Sequence, residues 1–101
     1  MTDLEKSVAD ALRLTQKAAK NLLNTIQRNI LTARAELIRS GVSEDLANSS
    51  NLLVEDAIIT FCLYKMDDES NQERNWSAFQ YQQDTLRKSN IKLKEDAKGE
   101  K

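Results

Sequence analysis

Histidine is absent from this 101-residue chain, and with it the commonest general base and the commonest metal ligand of proteins. Cysteine occurs once, at Cys62, which rules out an intrachain disulfide and a zinc site of the usual Cys/His kind. Placed inside an apolar run, Cys62 reads as a small buried hydrophobe. Proline is missing and glycine occurs only at Gly41 and Gly99, so no glycine-rich phosphate cradle exists and little irregular structure is provided for. The carboxylate pairs Glu44-Asp45, Glu55-Asp56 and Asp67-Asp68 are adjacent in sequence. Each pair points two ways around a helix or lies in a loop, unlike an acid/base dyad held across a cleft. The chain therefore reads as a non-enzyme without a cofactor or metal. Its longest apolar run is flanked by Glu55, Asp56 and Lys65 and falls short of a membrane span. Met1-Thr2-Asp3-Leu4-Glu5 lacks the basic start and apolar core of a signal peptide. The expected setting is a reducing cytoplasm, or a particle assembled there.

What is present is helical periodicity in a length suited to one domain. Thr2 or Asp3 offers a cap for a helix over about residues 4–13, with Leu4, Val8, Ala11 and Leu12 as its stripe. Thr15 is the natural cap of a second helix reaching Arg39. Ala19, Leu22, Leu23, Ile26, Ile30, Ala33 and Leu37 recur along it at three- and four-residue steps. Gly41 follows as a left-handed stop, and Ser43 caps a short turn over 44–48. Leu52 to Met66 is apolar nearly all the way round. Such a helix has to be enclosed by its neighbours, which makes it the centre of the fold. After an acidic break, Ser70 or Asn71 caps a last helix bearing Trp76, Phe79 and Leu86 as core and Tyr81 off the stripe. That helix fades after Lys88. The expected fold class is all-α: a small bundle of about four helices over residues 1–89, with a disordered C-terminal tail over 90–101.

Charged residues make up 31% of the chain but sum to only −1, which conceals a local imbalance. Residues 16–40 hold Lys17, Lys20, Arg28, Arg34 and Arg39 against Glu36, a net of +4. Residues 67–73 hold Asp67, Asp68, Glu69 and Glu73 with no base, a net of −4. Residues 87–101 hold six bases and three acids, a net of +3. Solvated helix faces explain such charge in a small soluble protein. The sharper reading pairs the basic and acidic stretches between neighbouring subunits, where complementary charge sets register and partner choice. The candidate interface residues are then Lys17, Lys20, Arg28 and Arg34 on one side and Asp67, Asp68, Glu69 and Glu73 on the other.

Several words of the sequence carry a resemblance. "ALRLTQ" leads into the long helix and "ARAELIRSGV" closes it. "AIITFC" follows a leucine-rich entry, then comes a polar hinge, and "YQQDTLRKS" ends a helix opened by an aromatic. Over roughly residues 4–90 this pattern resembles the head-to-tail connector (adaptor, or head-completion) proteins of tailed bacteriophages. The resemblance implies a virion protein assembled in the host cytoplasm, with no membrane partner. It implies a closed homo-oligomeric ring of about twelve copies built from heterologous contacts. The ring would sit beneath the portal protein, dock a second connector or tail-completion protein, and pass DNA without reading its sequence. It further implies that the C-terminal segment folds onto the portal. Ile91, Lys92, Leu93 and Lys94 would dock there, the two apolar residues anchoring an extended strand at a partner's sheet edge.

Two readings from other classes remain open. One is a helical interaction module unrelated to phage. The other is a helix-turn-helix DNA-binding protein turning at Gly41-Val42-Ser43. A recognition helix there would open with Glu44-Asp45, which repels phosphate.

Overall fold

Local capping chemistry sets the element boundaries. In the computed structural model, which describes the backbone of residues 1–99 and the side chains of residues 1–89, α1 (Asp3–Ala11) opens on a reciprocal cap. Thr2 Oγ1 accepts the Glu5 N–H at 3.1 Å, and Glu5 Oε1 accepts the Thr2 N–H at 2.8 Å. The helix closes through Leu14 N–H to Ala9 O and Arg13 N–H to Asp10 O, both at 3.0 Å. Arg13 stands at φ 57°, where glycine is the usual occupant. Thr15 then caps α2 (Gln16–Asn21) by accepting the Ala18 N–H.

The predicted second helix is interrupted. α2 gives way at Leu22 (φ −100°, ψ 8°) to α3 (Leu23–Ser40). The hydrogen bonds Leu22 N–H to Ala18 O and Ile26 N–H to Leu22 O carry across the bend. No proline or glycine stands there, so only the packing of Ala19 on one side and Ile26 on the other accounts for it. Gly41 ends α3 at φ 113°, with its own N–H on Ile38 O and the Val42 N–H on Leu37 O. Ser43 caps α4 (Glu44–Ala47), and Asn51 caps α5 (Leu52–Met66) through its side-chain oxygen. A single 3-10 turn (Glu69–Asn71) spans the acidic break and leads into α6 (Gln72–Gly99).

Among the described residues there are six α-helices and no strand. Four are long enough to pack as a bundle: α1, α3, α5 and α6. α5 is central, touching α1, α3 and α6. The aromatic pairs give its direction against α6. Phe61 stacks on Phe79 with ring centroids 5.1 Å apart, and Tyr64 on Trp76 at 4.9 Å. Each step forward on α5 is thus a step back on α6, so the two are antiparallel. Against α3, α6 runs parallel. Gln83 Nε2 donates to Glu36 O and Arg87 Nη1 to Ser40 O, the same offset of 47 residues twice.

The core forms as the periodicity predicts. Val8, Ile26, Leu37, Val54, Ile58, Cys62, Phe79 and Leu86 are its largest enclosed side chains, and Trp76 packs half-buried against them. Two details differ. On α1 the inward residues are Glu5, Val8 and Ala9, while Ala11 faces solvent. At the other end of the chain α6 continues past Lys88 to Gly99. The side chains of 90–99 and all of residues 100–101 lie outside the described residues, so of the expected tail over 90–101 only the helical backbone of 90–99 is described.

Candidate interaction surfaces

The ionisable groups that approach the interior are committed to holding the fold. Glu5 is buried, with Oε1 on the Thr2 N–H and Oε2 accepting from Gln27 Nε2 at 3.1 Å. The Thr2 backbone bond, and to a lesser degree Gln27, hold its carboxyl below the usual range against the opposing effect of burial. An open hollow of about 560 Å³ lies over this group, between the start of α1, the middle of α3 and the first turn of α5. Asp3 and Glu55 line it as well, while Glu5 is committed to the cap of α1. Cys62 is enclosed, and burial pushes its thiol up to about 12, so it stays protonated and inert at neutral pH. Among the described residues no group of three or more His, Cys, Asp or Glu side chains converges as metal ligands would.

The candidate interface charges are arranged unequally. Lys17 and Lys20 stand exposed on α2, and Arg28 stands exposed on α3. Arg34 turns inward instead. Its Nη1 donates to Ala47 O at 2.7 Å and Ser49 O at 3.1 Å, satisfying carbonyls that the one-turn α4 leaves open. Arg34 therefore ties α3 to the α4–α5 connection. Asp67, Asp68, Glu69 and Glu73 are all exposed, and only Asp67 has a side-chain partner, accepting from Asn71 Nδ2 at 3.3 Å. The structure brings none of the four bases into an ion pair with any of the four acids; the salt bridges among described residues are local, Arg39–Glu36 and Asp84 with Arg87 and Lys88.

The Gly41-Val42-Ser43 turn leads into a helix of four residues, opened by the exposed acids Glu44 and Asp45. One turn is too short to lie along a major groove and present successive bases. No helix among the described residues is long and apolar enough to cross a membrane. The docking segment Ile91–Lys94 falls where side chains lie outside the described residues.

The surface feature that the periodicity reading missed is apolar. α5 is not enclosed at its start: Leu52 is 76% exposed and Leu53 54%, while across a shallow groove Tyr81 is 75% exposed. Leu31 of α3 is a further large exposed aliphatic, at 69%. The groove between α5 and α6 encloses about 130 Å³ and is lined by Leu53, Asp56, Tyr81, Gln82, Thr85 and Leu86. Gln82 Oε1 is buried in it without a hydrogen-bond partner. A signal for this exposure was present in the sequence. Leu52 precedes Glu55 by three residues, and Leu53 precedes Asp56 by three. Both leucines thus share a helix face with an acid and belong to the solvent side.

Comparison of the chain with protein-family models, with curated proteins and with solved structures gave no match. The fold defines the class at the level of a small all-α bundle.

Proposed function

We propose that this chain is a structural connector subunit of a tailed bacteriophage particle. About twelve copies would close into a ring beneath the portal protein, joined by heterologous contacts. The ring extends the DNA channel and presents a docking surface to a second connector or tail-completion protein. DNA passes without sequence-specific contact, and no reaction is catalysed.

The observation that carries this reading is the pairing of a closed core with an uncovered apolar surface. The interior is tightly enclosed, yet Leu31, Leu52, Leu53 and Tyr81 remain large and exposed on the outside. Large exposed apolar side chains, with Leu53 and Tyr81 facing one groove, mark contact with other protein on an otherwise charged surface. The separation of exposed Lys17, Lys20 and Arg28 from exposed Asp67, Asp68, Glu69 and Glu73 gives neighbouring copies complementary patches. The recurring words of the sequence supply the phage setting. The one-turn α4 weighs against a groove-reading alternative.

Light scattering of the purified chain, alone and mixed with the portal protein of the same particle, tests the proposal. A discrete ring, or a monomer that joins the portal stoichiometrically, is the expected result. A monomer indifferent to the portal at every concentration overturns it.

A further inference from the structure

The groove at the start of α5 has no cover within its own chain, and its chemistry is specific. Leu53 supplies an aliphatic wall and Tyr81 an aromatic one, with Leu52 exposed next to Leu53 in sequence. Asp56 stands at the rim and forms no ion pair with another described residue. The buried Gln82 Oε1 lacks a donor, a state that costs free energy until a donor arrives. The missing cover therefore has apolar groups for Leu53 and Tyr81, positive charge for Asp56, and an N–H donor for Gln82.

We infer that this cover is the Ile91-Lys92-Leu93-Lys94 segment of a second copy of the chain. It carries two aliphatic side chains and two cations in four residues, opposite in sign to the Asp56 carboxylate at the rim. Its own chain cannot deliver it. Thr85 and residue 93 belong to one continuous helix, Gln72–Gly99, which holds them about 12 Å apart at 1.5 Å per residue. Because α6 runs antiparallel to α5, this helix carries residues 91–94 onward past the start of its own α5. The segment reaches only a neighbour. Each copy then offers a groove at one place and a segment at another, a heterologous contact that repeats and closes into a ring. The contact rests on the ring reading and assigns to the neighbouring copy a segment that the resemblance assigns to the portal.

Disulfide trapping with full-length chains tests it. One variant carries Thr85→Cys, at an exposed groove position whose hydroxyl bonds only within its own helix. The other carries Asn90→Cys, flanking the segment. Enclosed Cys62 stays silent in both while the fold persists. Mixed and oxidised, the two are expected to give the hetero-disulfide about tenfold above the random mixture, and Asp56→Lys is expected to remove that excess by reversing the rim charge. Adding Lys92→Glu and Lys94→Glu to the segment chain restores it. Unchanged circular dichroism guards against misfolding. A random mixture of disulfides overturns the contact. The hetero-disulfide in open dimers, without closed rings, supports the contact and overturns the ring. Closed rings without the hetero-disulfide do the reverse.

Discussion

Phe79 and Tyr81 lie two residues apart on α6, and truncating each to alanine should separate core from contact surface. Phe79 is fully enclosed, in tilted contact with Phe61 at 5.1 Å and with Trp76 at 5.8 Å between ring centroids. Phe79→Ala removes the ring, opens a cavity and breaks both aromatic pairs, which together cost about 4 kcal/mol. A domain of this size holds roughly 5–15 kcal/mol of stability in total. The variant should therefore lose a large share of it, and its melting temperature should fall by about 15–30 °C. Tyr81 is 75% exposed, so Tyr81→Ala should stay within about 0.5 kcal/mol of the parent. Urea unfolding followed by far-UV circular dichroism, at a concentration where the chain is monomeric, reads both. Association should respond in the opposite order, with Tyr81→Ala folding normally and associating poorly. The reasoning is refuted if Phe79→Ala costs under about 1.5 kcal/mol at unchanged m-value, since a fully enclosed ring cannot be removed so lightly. It is refuted equally if Tyr81→Ala destabilises as much as Phe79→Ala.

Three other perturbations address particular residues. Arg34→Lys should cost about 1.5–3 kcal/mol by denaturation, because a lysine ammonium does not reproduce the guanidinium fork that reaches Ala47 O and Ser49 O; a neutral result would mean those carbonyls find water. Glu5 has a folded-state carboxyl held below its ordinary value of 4.5 by the Thr2 backbone bond, so its contribution is complete above that value and is lost as pH falls through the lowered one. Stability against pH should accordingly be flatter on the acid side in Glu5→Gln than in the parent, and identical curves would discount the group. Cys62 should react with a thiol reagent at neutral pH only as fast as the domain unfolds, since its thiol is enclosed and raised to about 12; rapid labelling with full helicity retained would contradict its placement.

Where a boundary rests on local chemistry, the sequence alone discloses it. Thr15, Ser43 and Asn51 cap helices because a side-chain oxygen reaches a backbone N–H two or three residues on. Gly41 stops α3 because only glycine accepts its φ of 113° without strain. The Trp76–Phe79–Leu86 stripe finds the core through helical spacing. Where tertiary packing decides, the sequence is silent. Nothing in it marks the bend at Leu22, which lacks any breaker residue. Burial of Glu5 is unexpected for a carboxylate until Gln27, distant in sequence, supplies its partner. The outward Leu52 and Leu53 lie between the two cases: the acids three residues on mark their face, while the apolarity of the rest of α5 conceals it. Arg34 is counted with the surface charges by composition, and only the position of α4 turns it inward.

The groove at the start of α5 combines two forces with opposite responses to salt, and this makes its chemistry separable. The carboxylate of Asp56 stands at its edge, where solvent ions screen it. Leu53 and Tyr81 bury apolar area when covered, and sulfate strengthens such burial by exclusion from protein surface. A contact made by lysines at the rim and aliphatics at the centre should weaken as sodium chloride rises towards and past about 0.15 M, where the Debye length falls to about 8 Å. Ammonium sulfate at matched ionic strength should weaken it less, and at higher concentration should restore it. Sedimentation velocity in the two salts reads the difference. Equal weakening in both would make the contact purely ionic and leave the exposed leucines without a role. Strengthening in both would make it purely apolar, and Asp56 with the lysines of 91–94 would then have no part in choosing the partner.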